Sequence, residues 1–256
     1  MGQVYRVMDL KTGRVVALKR VMVVDALREA RMGEGGHKVV PPEEDHRALA
    51  REFKLLADLR HPHIVDVIDY DFDESGQPYY TMAYLADALP IIEYCQDRTL
   101  ECKIDLLVHM FEALAYLHEH NVLHRDLKPD NVLVMNGQVK LLDFGLSTAD
   151  TTHGYALQGT AAYMAPELLK GHPPSQATDL YAAGVVAYEL LAGHHPYDVR
   201  NLNQLMLSVL HEEADVAALP VDPNLQALVG KLLANDAQAR PQNASGVVEE
   251  LAKIDY

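Results

Sequence analysis

The segment His124-Arg-Asp-Leu-Lys-Pro-Asp-Asn131 gathers two carboxylates, an amide and two cations within eight residues. Twelve residues past Asn131 stands Asp143, at the head of Asp143-Phe-Gly145. A carboxylate beside a hydroxyl can orient it and accept its proton. A carboxylate and an amide oxygen together can hold a hard divalent cation. An ammonium can offset negative charge on a group in flight. Phosphoryl transfer asks for these things, because it depends on positioning and charge cancellation more than on covalent help. Upstream, Val16-Ala-Leu-Lys19 places a lysine in a strand-like run, and downstream comes Ala165-Pro-Glu167.

The elements that must hold these residues follow from hydrophobic period and turn chemistry. Gln3 to Met8 and Arg14 to Val24 read as strands around the turn Asp9-Leu-Lys-Thr-Gly13. Met22 to Asp45, with Gly33-Glu-Gly-Gly36 and Pro41-Pro42, reads as an insertion. Leu49, Phe53, Leu56 and Leu59 share one helical face, which ends near His61-Pro62. Ile64 to Phe72 and Tyr79 to Leu85 are further strands, joined by Asp73-Glu-Ser-Gly76. After Asp87 the pattern turns helical. Ile104, Leu107, Val108, Phe111, Leu114 and Leu117 form a long stripe with a stop at Asn121. Val132 to Leu142 is a hairpin about Asn136-Gly137. Thr178 to Ala192 is apolar on nearly all sides, so it is expected to be a buried helix stopping at Gly193. From Thr178 onward the chain is expected to be helical throughout.

Composition narrows the partners. The 256 residues carry 22 Lys+Arg against 37 Asp+Glu, a formal charge of −15. That balance argues against nucleic acid and against anionic membrane surfaces. Leu180 to Ala192 is too short to span a bilayer and is interrupted by Glu189. Two cysteines, Cys95 and Cys102, imply no disulfide framework, and a cytoplasmic protein is expected. The 13 histidines read as surface or loop residues, because no Cys or acidic partner stands at ligand spacing.

Taken in order, Val16-Ala-Leu-Lys19, His124 to Asn131, Asp143-Phe-Gly145 and Ala165-Pro-Glu167 resemble the motifs of the protein kinase family across essentially the whole chain. The resemblance implies an α+β, bilobal fold: a small β-rich lobe (1–85) with one main helix and a larger helical lobe (86–256). It implies transfer of the γ-phosphoryl of ATP to a protein Ser/Thr hydroxyl, with Mg²⁺ or Mn²⁺, and possible autophosphorylation. By resemblance Asp126 accepts the hydroxyl proton, Lys128 touches the γ-phosphate, and Asn131 and Asp143 hold the metal. Lys19 pairs with the α/β-phosphates and Glu52 positions it. Gly2, Val4, Ala17, Met82, Ala83, Leu85 and Leu133 line the nucleotide site. Arg125 answers a phosphate on Thr151 or Thr152, and Thr160 marks the substrate groove of the Ser/Thr branch. Glu167 pairs with Arg240, and Asp179 accepts hydrogen bonds from the catalytic-loop backbone. Leu56, Val67, His124 and Phe144 match the family's hydrophobic spine.

Three departures stand out. The family's glycine-rich loop reads G-x-G-x-x-G-x-V, and Gly2-Gln3-Val4 supplies only its last glycine and valine; the others would lie before Met1. Lys19 and Glu52 are 33 residues apart, longer than the family's habit. Tyr181-Ala-Ala-Gly184 stands where many eukaryotic members carry Trp-Ser and, with no Trp anywhere, resembles the bacterial branch. The alternatives are a pseudokinase or scaffold, a weakly active fragment, and a small-molecule phosphotransferase of the same fold. The retained Lys19, Asp126, Asn131 and Asp143 weigh against the scaffold. Lys128, Ala165-Pro-Glu167 and Arg240 weigh toward protein substrates.

Overall fold

A computed structural model of the chain describes residues 3–20, 53–54, 56–74, 77–144 and 161–254. The expected insertion at 22–45 lies outside them. The described residues form two compact units. One takes the residues up to Arg60 together with Val65–Ala86; the other takes His61–Ile64 and the described residues from Asp87 onward.

The first unit is an antiparallel sheet of β1 (Val4–Met8), β2 (Val15–Arg20), β3 (Val67–Phe72) and β4 (Pro78–Ala83), in the order β1-β2-β4-β3. Its first turn is closed by Asp9, whose carboxylate accepts from the Lys11 amide at 2.8 Å and the Thr12 hydroxyl at 2.6 Å. Gly13 completes the turn at φ 69°. Register pairs Val4 with Lys19 and Ala17 with Met82, so all four share one face of the sheet. At the far end of that face, Tyr70 and Tyr80 are opposite one another. Phe53 covers both rings, at 5.3 Å from Tyr70 and 5.6 Å from Tyr80. Phe53 and Leu56 are buried in a helical stretch, and Arg60 ends it by donating to the Ala57 and Leu59 carbonyls.

The expected strand from Ile64 begins only at Val67. Pro62 breaks the chain there, and residues 61–64 pair elsewhere. Ile64 bridges Leu141 in parallel, and the Leu141 amide donates to the His63 carbonyl at 2.9 Å.

In the second unit, β5 (Leu89–Pro90) leads to α1 (Ile91–Tyr94) and α2 (Leu100–Glu119). Thr99 caps α2 by accepting from the Cys102 amide at 3.3 Å, and Asn121 ends the turn at φ 58°. A 3₁₀ turn at Pro129–Asn131 precedes β6 (Val132–Met135) and β7 (Gln138–Leu141). Asn136 and Gly137, at φ 53° and 75°, give the two left-handed residues of a type I′ hairpin. There follow α3 (Pro166–Leu169), α4 (Gln176–Ala192), α5 (Leu202–His211), α6 (Pro223–Leu232) and α7 (Ala244–Leu251). Two 3₁₀ turns, Val216–Ala218 and Ala237–Ala239, interrupt the expected helical run, each just ahead of an extended residue. Helix α4 is buried along nearly its whole length and stops at Gly193, φ 79°. A Cβ on Gly184 would lie 2.7 Å from Leu232 Cβ, so the missing side chain is what lets α4 and α6 approach. Among the described residues no helix is long and apolar enough to cross a membrane.

One group of histidines departs from the surface reading. His63 is 6% exposed and stacks on His109 at 4.0 Å. Its Nδ1 faces the Val139 carbonyl at 3.3 Å, and its Nε2 lies 3.4 Å from Glu112. Burial pushes its pKa down to about 4, with the charges of His109, His61 and Lys140 acting the same way. The Val139 carbonyl, facing Nδ1, pulls in the other direction, but burial is the larger effect and wins. An unfolded His63 takes its proton near pH 6.5, whereas the folded one resists to about 4. Stability from this residue is therefore present at neutral pH and lost as pH falls from 6.5 toward 4. His63→Asn, which keeps a donor toward Val139, is expected to flatten the fall of Tm across that range. An unchanged slope would refute the assignment.

Candidate active site

The loop between α2 and β6 is fixed from beneath by Asp179, which is 2% exposed near the start of α4. One carboxylate oxygen accepts from the Arg125 amide at 2.9 Å. The other accepts from the His124 amide at 2.8 Å and faces His118 Nε2 at 2.9 Å. Three contacts converge because a buried carboxylate must be fully satisfied. They also hold Arg125 at φ 68°, a left-handed conformation that costs a residue with a Cβ about 1–3 kcal/mol. His124 is wholly buried, and that burial lowers its pKa against the pull of Asp179, Asp126 and Asp143.

Past that anchor the candidate side chains Asp126, Lys128 and Asn131 meet. Lys128, 2% exposed, donates to both oxygens of Asp126 at 3.1 and 2.9 Å. Asn131 donates from Nδ2 to the Asp126 carbonyl at 2.7 Å and to its Oδ2 at 3.0 Å. With Nδ2 committed there, the other end of that amide is an oxygen turned away from Asp126. The Leu142 amide donates to the Asn131 carbonyl at 2.9 Å, which ties Asn131 to the residue before Asp143. Asp143 is also left-handed, φ 59°, and Phe144 beside it is buried. A carboxylate and an amide oxygen are hard donors of the kind Mg²⁺ or Mn²⁺ takes, so Asp143 and Asn131 fit that role.

Further along, Arg240 and Glu167 form a two-pronged ion pair at 2.7 and 2.9 Å. Arg240 also donates to the Ala177 carbonyl at 2.8 Å and the Ala234 carbonyl at 2.9 Å, and lies 4.9 Å over the Tyr181 ring. Tyr163 donates to Glu189 Oε2 at 2.7 Å. Burial first, then that carboxylate, raises the Tyr163 pKa. Both residues line an open groove of about 570 Å³ with Pro90, Glu93, Lys128 and Asp130.

In the first unit, Lys19, Val4, Ala17 and Met82 share the sheet face described above, with Ala83 and Leu85 at and just past the end of β4. In the second, Leu133 lies in β6 opposite Lys140. Gly2, Glu52, Thr151, Thr152 and Thr160 lie outside the described residues. Two participants escaped the motif reading. His118 is the third partner of Asp179, and its only sequence signal is a polar residue on the apolar stripe of α2. Glu189 was noted only as a break in an apolar run, but it receives the Tyr163 hydroxyl.

The fold and the site define a class, and comparison with known proteins names it. The sequence model of the protein kinase domain matches residues 1–253, and the chain belongs to that family. It is 32% identical over 265 residues to a probable serine/threonine-protein kinase, pknA2, of Bifidobacterium longum, covering 99% of this chain and 33% of that protein. It is 33% identical over 264 residues to a probable serine/threonine-protein kinase of Streptomyces coelicolor, covering 95% and 36%. It is 30% identical over 267 residues to the serine/threonine-protein kinase PknA of Mycobacterium tuberculosis, covering 99% and 58%. Each of these relatives is named as a serine/threonine-protein kinase. The chain spans about a third of the length of the first two.

Proposed function

We propose that this chain transfers the γ-phosphoryl group of ATP to a serine or threonine hydroxyl of a protein, using Mg²⁺ or Mn²⁺, in the cytoplasm. The observation that carries the reading is Asp126, held by Lys128 and Asn131 in a loop that Asp179 fixes. Asp126 orients the attacking hydroxyl and takes its proton. Lys128, already beside that carboxylate, offsets charge on the phosphoryl oxygens as they pass. Asn131 and Asp143 hold the metal, which neutralises phosphate charge when bound. Lys19 meets the α/β-phosphates, with Glu52 positioning it. Val4, Ala17, Met82, Ala83, Leu85 and Leu133 contact the base, and Gly2 approaches the phosphates. Arg125 pairs with a phosphate on Thr151 or Thr152, placed there by autophosphorylation. Thr160 borders the substrate groove. A scaffold has no use for four charged or metal-binding groups held in this arrangement, and a small-molecule kinase has none for the Glu167–Arg240 pair.

Incubation with labelled ATP, Mg²⁺ and a generic basic protein is expected to yield phosphoserine or phosphothreonine. MgATP at a hundredfold excess over Kd should stabilise the fold by about 2.7 kcal/mol, read as a rise in Tm. ATP without the metal should give less. A chain that neither transfers phosphate nor responds to MgATP would overturn the proposal.

A further inference from the structure

We infer that His195 is a positioning residue for the protein substrate, acting through the backbone of Ala162 and the ring of Tyr163. This rests on the kinase reading above and deepens it.

His195 lies two residues past Gly193, in the loop that leaves α4, and is half-buried. Its Nε2 is 2.9 Å from the Ala162 carbonyl, 33 residues earlier in the chain. Its Nδ1 is 3.1 Å from the Tyr197 amide, which donates to it, and 3.0 Å from the Tyr197 carbonyl. In the neutral tautomer protonated at Nε2, that N–H donates to the Ala162 carbonyl and Nδ1 accepts from the Tyr197 amide. The ring is therefore a rigid strut between two stretches of main chain. It stands nearly perpendicular to the Tyr163 ring, centroids 5.7 Å apart and interplanar angle 86°. Tyr163 in turn donates to Glu189, on the last turns of α4, and both line the groove beside Lys128 and Asp130.

The loop after α4 thus grips the residue before Tyr163, and α4 itself grips the Tyr163 hydroxyl. Ala161 and Ala162 are too small to hold the segment by side-chain packing alone, although both are buried. The hydrogen bond from His195 supplies a fixed point for that main chain. None of these groups belongs to the phosphate or metal machinery. Loss of the strut should let the groove wall drift and weaken peptide binding, while the ATP side is unaffected.

Two substitutions separate the two bonds. His195→Gln can still reach the Ala162 carbonyl with an N–H. His195→Asn can accept from the Tyr197 amide but is too short for Ala162. Steady-state kinetics with a serine peptide flanked by arginines would read KM for peptide and for ATP separately. His195→Asn and His195→Ala are expected to raise the peptide KM about three- to tenfold, the worth of one hydrogen bond. KM for ATP and kcat should stay within about twofold of the parent. His195→Gln is expected to restore most of the peptide KM. An unchanged peptide KM in His195→Ala, a parallel rise in both KM values, or no rescue by Gln would each overturn this role while leaving the kinase reading intact. Absence of phosphoryl transfer by the unaltered chain would overturn the kinase reading, and this inference with it.

Discussion

Asp126→Asn is expected to lower kcat by roughly a hundred- to ten-thousandfold, with KM for ATP nearly unchanged. The size follows from what the carboxylate does and what the amide cannot do. An amide oxygen can still accept one hydrogen bond from Lys128, but it has no basicity with which to take a hydroxyl proton. Its N–H₂ end would also confront either the Lys128 ammonium or Asn131 Nδ2, which donate to the two carboxylate oxygens at 2.9 to 3.1 Å. Two donors cannot share that space, so one contact is lost and the ring of three side chains loosens. Single-turnover phosphorylation of the peptide measures the chemical step directly. The MgATP-induced rise in Tm, measured in parallel, should survive, because Asn131 and Asp143 are untouched. A variant with a kcat near the parent's would remove Asp126 from the proposed base role. A variant that also lost the MgATP response would mean that the substitution had collapsed the loop.

The largest effect on stability is expected at Arg240. Its guanidinium, with no exposed side-chain surface, meets Glu167 twice and two backbone carbonyls, and lies over Tyr181. Arg240→Ala leaves the Glu167 carboxylate, only 14% exposed, without its counter-ion and removes a donor from the Ala177 and Ala234 carbonyls. Removing one side of a buried pair costs about 3–5 kcal/mol. Against a total of about 5–15 kcal/mol for a typical domain, that can unfold the chain. Arg240→Lys grades the test. An ammonium keeps the charge but cannot form the parallel fork or lie flat over a ring. A loss of about 1–3 kcal/mol in urea unfolding is expected for it, and Glu167→Gln in the Arg240→Ala background should add little, because the pair is already broken there. Additive losses would show that the two residues act separately.

The sequence was most legible where a local rule sufficed. Asn136-Gly137 could only be a hairpin turn, and Gly193 could only be a stop, because both need backbone that a Cβ resists. The motif residues were legible by type, since a carboxylate, an amide and an ammonium in one loop have few uses together. What stayed hidden depends on contacts across long sequence separations. Ile64 is as apolar as any strand residue, and only its pairing with Leu141 shows that it leaves the first sheet. His63 sits between a proline and an apolar run, like a loop histidine, yet tertiary packing against α2 and β7 buries it. His118 and His195 carry no motif. Each matters because of an oxygen supplied from 61 or 33 residues away.

Asp179 sets when the cost of order is met. Its bonds to two successive backbone amides tie the loop to the helix beneath it in the folded chain. The strain at Arg125 is charged once, at folding. In the proposed reaction a nucleotide or hydroxyl would find Asp126 and Asn131 already aimed, so no chain entropy would be surrendered afresh at each turnover. The loop is in that sense a casting: its shape is set in the core and does not have to be remade by its substrates.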